Sequence, residues 1–386
     1  MIPYGRQDIT QADIDAVIEV LRSDWLTQGP KVPSFEKAVA RYTGARCGTA
    51  VNSATSALHI ACLALGVGPG DRVWTSPNTF VASANCALYC GAQIDFVDID
   101  RRTYNMSVSA LEDKLQMAEK QGRLPKVVIP VHFAGQPCEM DAIHDLSKKY
   151  GFKIIEDASH AIGAKFKEQN IGSCAWSDIT VFSFHPVKII TTSEGGMALT
   201  NDAQLDKRMK RVRTHGITTD KALMDTRPDD EIWNYQQIEL GFNYRMTDIQ
   251  AALGINQLSR IEDFLKRRKE IANTYDGSLS RLPVTIPWQQ SEALSSYHLY
   301  PIRIPMKSGK VQKKVYQELI DRGVAANLHY IPVHRHPFYE RLGFKDGDFP
   351  EAERFHREAI SVPMYPALQD QQQEEVVAVL REIFLG

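Results

Sequence analysis

From about residue 46 the chain alternates short β-rich runs with helical runs, and this alternation narrows its possible folds more than any other feature. Residues 47–51 precede a helix-like stretch at 53–65, 72–75 precede 80–89, 94–97 precede 109–117, and 126–131 precede 140–150. A fifth apolar run, at 153–155, leads through Glu156 to an acid, Asp157. Apolar strand runs, each followed by a helix, predict a parallel sheet covered by helices on both faces, an α/β fold. Ligands of such sheets gather at the carboxyl ends of the strands, where Ser53, Phe80 and Asp157 all fall. Residues 197–200 read as an antiparallel return strand.

The 386 residues are enough for a large domain and a smaller one. We place the large domain at 1–250, with its N-terminal segment, and a linking helix plus a small C-terminal α+β domain at 251–386. Thr10 is the expected cap of a first helix, with Asp13 in its first turn. A Gly-Pro pair marks 25–31 as a loop. Residues 247–282 are helix-rich, 300–304 and 326–330 are strand candidates, and 372–384 form a closing helix. The polar, Asp-rich stretch 214–233 reads as an exposed loop.

With 45 basic and 47 acidic residues, the chain lacks the excess of positive charge expected of a nucleic-acid binder. It has no run of 18 apolar residues, so no membrane span is expected. The first residues lack a signal-peptide pattern, which makes the cytoplasm the default. The six cysteines sit mostly in apolar segments and read as small core residues, with no metal site. Gly66-Val-Gly-Pro-Gly70 has the wrong spacing for a dinucleotide loop, contains Pro and leads into a strand. That weakens the case for a nicotinamide oxidoreductase.

Ser183 and Lys188 lie 26 and 31 positions after Asp157, in an apolar run followed by Glu194-Gly-Gly196. Together these three supply what pyridoxal phosphate (PLP) requires: an amine for the aldehyde, a carboxylate for the pyridine nitrogen and a donor for the phosphate. The strand-to-helix turn at 51–58 adds free N–H groups and hydroxyls around Ala54 and Thr55, at a helix end that favours an anion. Capping explains Ser53 alone. Phe80 is suited to stack on one ring face.

Several motifs resemble the DegT/DnrJ/StrS family of PLP-dependent nucleotide-sugar aminotransferases, over about residues 2 to 380. They are Asn52-Ser-Ala-Thr-Ser-Ala-Leu58, Thr79-Phe-Val-Ala82, Glu156-Asp-Ala-Ser-His160, Ser183-Phe-His-Pro-Val-Lys188 and Leu240-Gly-Phe-Asn-Tyr-Arg-Met-Thr-Asp248 with its continuation to Leu253. The resemblance implies a fold-type I aminotransferase and a homodimer with sites at the subunit interface. It also implies that Lys188 takes the aldehyde, Asp157 the ring nitrogen and Ser183 the phosphate. Asn243 would reach the partner subunit's phosphate site, and Arg245 a substrate diphosphate. Tyr4, Thr27, Lys31 and His329 complete the expected substrate contacts. His160 stands near the ring hydroxyl where many members carry Gln, which leaves its protonation state open. The resemblance extends to a subfamily that aminates carbon 4 of UDP-4-keto-6-deoxy-N-acetylhexosamines from glutamate, and so implies that activity here, in pseudaminic acid biosynthesis and flagellin glycosylation. A dehydratase of the family would carry His in place of Lys188, and a non-enzymatic regulator would not need Lys188 and Asp157.

Overall fold

The computed structural model describes residues 1–226, 228, 234–305 and 310–386. Helices α1 (Gln11–Leu21) and α2 (Lys31–Thr43) precede strand β1 (Cys47–Val51). Then follow α3 (Ala54–Ala64), β2 (Arg72–Thr75), α4 (Ala82–Tyr89), β3 (Gln93–Phe96), α5 (Val108–Lys120), β4 (Val127–Ile129), α6 (Met140–Tyr150) and β5 (Lys153–Asp157). A hairpin of β6 (Lys165–Phe166) and β7 (Gln169–Asn170) leads to β8 (Ile179–Ser183), β9 (Gly196–Thr200) and α7 (Ala203–Val212). The expected alternation is present, and each expected strand of this region forms.

Seven of these strands make one sheet in the order β1-β9-β8-β5-β4-β2-β3. The run from β3 to β8 is parallel, while β9 pairs antiparallel with both β8 and β1. All five residues of β8 and of β9 are buried, as strands covered on two faces must be. One apolar cluster joins the sheet to α2, α5 and α6 through Phe35, Val39, Leu111, Leu115 and Ile143. A second joins it to α3, α4 and α7 through Leu58, Ile60, Ala84, Ala87 and Met209. Because β9 runs backwards, its first residue, Gly196, lies at the carboxyl edge opposite both Ser183 and Val51.

Short strands β10 (Ile217–Thr218) and β11 (Gln236–Gln237) pair with each other. The stretch 214–233 is therefore not wholly loop: β10 lies inside it. Residues 227 and 229–233 of that stretch lie outside the described residues. Helices α8 (Asp248–Ser259) and α9 (Ile261–Leu279) come next, then β12 (Ala293–Leu294), β13 (Tyr300–Arg303), α10 (Gln312–Asp321), α11 (Pro337–Glu340), α12 (Pro350–Glu358), β14 (Ala359–Val362) and α13 (Asp370–Leu385). A third cluster packs Ile271, Tyr275 and Leu279 of α9 against β13, β14 and α13. The strand expected at 326–330 does not form. Only Asn327 bridges to Ser361, and the chain then turns so that Leu328, His329 and Tyr330 line a cavity. Half-apolar alternation there reflects a cavity wall, not a ladder.

The loop before α2 is fixed by a residue far away in sequence. Asp248, fully buried at the start of α8, accepts hydrogen bonds from the backbone N–H groups of Gly29 (2.7 Å), Lys31 (2.6 Å) and Val32 (3.1 Å). Its carboxylate thus caps α2, and Lys31 opens that helix instead of closing a loop. Asp248→Ala would take the acceptor from three backbone donors, that of Val32 buried and those of Gly29 and Lys31 partly buried. We expect a loss of roughly 2–3 kcal/mol in unfolding free energy, measured by urea titration at fixed protein concentration. A change below about 0.5 kcal/mol, the size of an ordinary surface substitution, would mean the brace is dispensable.

Candidate active site

A cavity of about 620 Å³ opens at the carboxyl edge of the sheet. Of the residues singled out in the sequence, Tyr4, Ala54, Thr55, Phe80, Asp157, His160, Ser183, Lys188 and His329 all line it. They come from six separated stretches of chain, most of them gathered because the strands end there.

Asp157 closes β5 and is 4% exposed. Its Oδ2 accepts from the Ser83 hydroxyl at 2.6 Å and its Oδ1 from the Ser159 N–H at 3.1 Å. Since Ser83 donates to Asp157, the Thr79 hydroxyl 2.7 Å away must donate to Ser83. This relay holds the carboxylate as an acceptor aimed into the cavity. Lys188 follows β8 in a loop closed by its own N–H to the His185 carbonyl (2.9 Å). Its side chain is partly accessible because it opens onto the cavity, yet protein surrounds it. Burial lowers the amine's pKa to about 8, and the attraction of Asp157 limits the fall.

The hydrogen bonds around His160 assign its proton. The Ala134 N–H donates to Nδ1 at 3.3 Å, so that nitrogen is bare. Nε2 lies 3.1 Å from the Tyr330 hydroxyl. Burial first, then the nearby Lys188 and His329, push the ring's pKa well below the usual histidine range. His160 is therefore neutral, with its proton on Nε2 donated to the Tyr330 oxygen, and Tyr330 keeps its own proton for an acceptor elsewhere. Burial likewise depresses His298, whose ring lies 4.3 Å from that of His160, and brings His329 to about 3.

At the other end of the cavity α3 presents its first turn. Ser53 caps the helix by accepting from the Ser56 N–H at 3.1 Å. Ala54 and Thr55 line the cavity with backbone N–H groups that a helix leaves unpaired. This turn packs directly on β9: a Cβ on Gly196 would come 2.5 Å from the Ala54 nitrogen and 2.6 Å from the Ser53 carbonyl carbon. Only glycine permits that approach, and it brings the helix end beside Ser183. The groups present fit PLP: a depressed amine, a buried carboxylate opposite it, and an anion-favouring helix end.

The remaining expected residues do not line this chain's cavity. Asn243 bridges to Thr214, and Arg245 bridges to Val51 at the end of β1. Thr27 bridges to Thr247. The Lys31 amine pairs with exposed Glu19 at 3.0 Å, so in this chain it serves the surface between α1 and α2. Sequence reasoning missed Ser83, Tyr330, His298 and Glu194, of which all but Ser83 line the cavity. Tyr330 stands next to His329 and could have been found by asking what shares its turn. Ser83 carries no such signal, because its role depends on how α4 sits against β5.

The Lys188 environment sets a measurable titration. Without cofactor, about half of its amine is unprotonated at pH 8, against about 1% or less for an ordinary lysine. Competitive acetylation across a pH series should give Lys188 a midpoint near 8. A midpoint with the bulk of the lysines, above about 10, would contradict the assigned burial.

The chain matches the model of the DegT/DnrJ/EryC1/StrS aminotransferase family over residues 7–381. It is 38% identical over 367 residues to the UDP-4-amino-4,6-dideoxy-N-acetyl-beta-L-altrosamine transaminase of Campylobacter jejuni, covering 95% of this chain and 93% of that one. Its fold matches Helicobacter pylori PseC, an aminotransferase of pseudaminic acid biosynthesis, with a TM-score of 0.90 at 31% identity, covering 100% of this chain and 99% of the other. The PLP form of a putative sugar aminotransferase, Spr1654 of Streptococcus pneumoniae, matches with a TM-score of 0.87 at 30% identity, covering 100% and 98%. The chain, with its amine, carboxylate and helix end in one cavity, belongs to the DegT/DnrJ/EryC1/StrS family and is a PLP-dependent aminotransferase.

Proposed function

We propose that the enzyme moves the amino group of glutamate to carbon 4 of a UDP-4-keto-6-deoxy-N-acetylhexosamine of the L-altro series, in the cytoplasm. The observation that carries the reading is the lowered amine of Lys188 in the same cavity as Asp157, within a chain 38% identical to a transaminase named for that amino sugar. The cofactor, when bound, supplies an aldehyde to carry the amino group and a ring to accept the electron pair of a broken C–H bond.

The chain's own residues do the rest. Asp157, locked by Ser83 and the Ser159 N–H, holds a proton on the ring nitrogen. The first turn of α3 and Ser183 take the phosphate. Phe80, 59% exposed and lining the cavity just before α4, would cover one ring face. Lys188 Nζ, readily unprotonated near pH 8, takes the proton from the α-carbon of glutamate. In the second half of the cycle it delivers a proton to carbon 4 of the sugar. Tyr330, with His160 donating to its oxygen, offers its own proton to an oxygen of the bound ligands. Tyr4 and His329, which line the cavity, face the sugar, and Thr27, outside this chain's own cavity, is assigned to the same substrate on the family resemblance.

We propose further that the working unit is a homodimer in which Asn243 and Arg245 complete the neighbour's site. Both lie beside the end of β1 yet outside their own cavity, which supports this reading. Mixing inactive Lys188→Ala with inactive Arg245→Ala should restore activity, up to about a quarter of wild type for random exchange in two-fold dimers. No recovery after verified subunit exchange would place Arg245 in its own subunit's site. For the substrate, glutamate with a panel of 4-keto and 3-keto nucleotide sugars, read by mass spectrometry, should show amination of the UDP-4-keto-6-deoxy-N-acetyl sugar and inhibition by UDP. Faster amination of pyruvate or oxaloacetate than of any 4-keto nucleotide sugar would make the chain a general amino acid transaminase.

A further inference from the structure

Beside Asp157 lies a second buried acid that the transamination cycle does not use. Glu156 is the residue before Asp157 in β5, so its side chain leaves the sheet on the opposite face. It does not line the cavity, and neither does its partner, His132; both are buried. Glu156 Oε2 lies 2.8 Å from His132 Nε2. Its Oε1 accepts from the Ser177 hydroxyl at 2.5 Å and the Thr180 hydroxyl at 3.0 Å. The Cys138 N–H donates to His132 Nδ1 at 3.0 Å, so that nitrogen is bare and Nε2 carries the ring's proton to Glu156. Burial opposes the charge on Glu156, yet the bonds from His132, Ser177 and Thr180 hold its pKa below the ordinary value. Exchanging a buried polar pair of this kind for apolar residues is often neutral or stabilising. Cohesion of the core therefore does not account for the pair, and its geometry does.

The His132 ring spans the loop 132–138, bonded to the loop's far end through one nitrogen and to β5 through the other. Within that loop Ala134 has φ +58°, the left-handed region that a residue with a side chain rarely adopts. In this conformation its N–H donates to His160 Nδ1 at 3.3 Å. Strained backbone of this kind persists only where the surroundings impose it. The His132 N–H donates to the Asp157 carbonyl at 3.1 Å, and the Ser296 N–H to the Gly135 carbonyl at 3.1 Å. The Phe133 N–H donates to Asn105 Oδ1 at 2.8 Å. The His132 side chain alone among these ties joins both ends of the loop to the strand that carries Asp157.

We propose that Glu156 and His132 are positioning residues for the amino transfer, on the reading that Tyr330 gives its own proton to a bound ligand. The pair holds the loop so that the Ala134 N–H occupies His160 Nδ1. His160 must then keep its proton on Nε2 and donate it to the Tyr330 oxygen, 3.1 Å away. Without that constraint His160 is free to carry its proton on Nδ1. Its Nε2 becomes an acceptor, and Tyr330 spends its proton on the histidine instead of the ligand. Glu156 thus acts on the cavity through three neighbours, without touching cofactor or substrate.

The test uses the PLP-loaded enzyme with isotope-labelled histidine, read by solid-state NMR without substrate. The His160 signals are assigned by their loss in His160→Gln. Wild-type His160 should show a bare Nδ1 and a protonated Nε2. Glu156→Leu should bring in the other tautomer. It should also lower kcat, with the best acceptor of the sugar panel, by at least about tenfold, within the range that misplaced groups cost. The KM for glutamate should move far less. Glu156→Gln should restore both signals and rate, because its amide oxygen can face His132 while the Ser177 and Thr180 hydroxyls turn to accept from its nitrogen. Wild-type His160 with its proton on Nδ1, or an unchanged tautomer in Glu156→Leu, overturns the proposal. Lost stability in Glu156→Leu with an unchanged kcat overturns it too. Should Glu156→Leu fail to fold, His132→Asn decides by the same signals, since its amide can accept from Cys138 but is too short to reach Glu156. Because the tautomer is read without substrate, a failure of the sugar assignment would leave this result standing.

Discussion

The contact between the first turn of α3 and Gly196 is the one on which the rest of the site depends. A side chain on Gly196 would strike the Ala54 nitrogen and the Ser53 carbonyl carbon, so the helix end can rest on the sheet only because that position is bare. The reversed strand β9 delivers Gly196 to the carboxyl edge, between Val51 and Ser183. One antiparallel insertion in an otherwise parallel run thus brings an anion-favouring helix end, a serine and the loop of Lys188 to the same place.

The electrostatics of the cavity follow from what burial allows. His160, His298 and His329 are all driven toward their neutral forms, burial being the leading cause for each. Three neutral rings around one lysine leave the positive charge of the cavity wall to Lys188. Had the histidines stayed protonated, their repulsion would have lowered the amine further and drawn anions away from the helix end. The tautomer of His160, set by a backbone N–H, passes that constraint on to Tyr330.

Much of this was legible in the sequence for a physical reason. Strands covered on both faces print unbroken apolar runs, so β1, β2, β4, β5 and β8 could be read directly, and the acid at the end of β5 stood out against them. Lys188 could be read because an acid at a strand end and a serine precede it, 31 and 5 positions upstream. Other features depend on distances that no local pattern records. The insertion of β9 between β1 and β8 reverses the order of neighbours. Asp248 braces the start of α2 across a separation of 219 residues at Gly29, although its motif reads as part of the site. Residues 326–330 alternate as a strand would, yet half of their polarity belongs to a cavity.

The cavity wall has a consequence for the life of the protein in the cell. Tyr4, Ala54, Asp157, Lys188 and Tyr330 meet only when both ends of the chain are in place. A half-folded chain has nowhere to hold the cofactor, so every bound molecule weights the balance toward the completed fold. Each tenfold excess of free cofactor over its dissociation constant adds about 1.4 kcal/mol to that balance. The steady-state level of this protein should then follow vitamin B6 supply, with starved cells clearing the empty chain through their proteases.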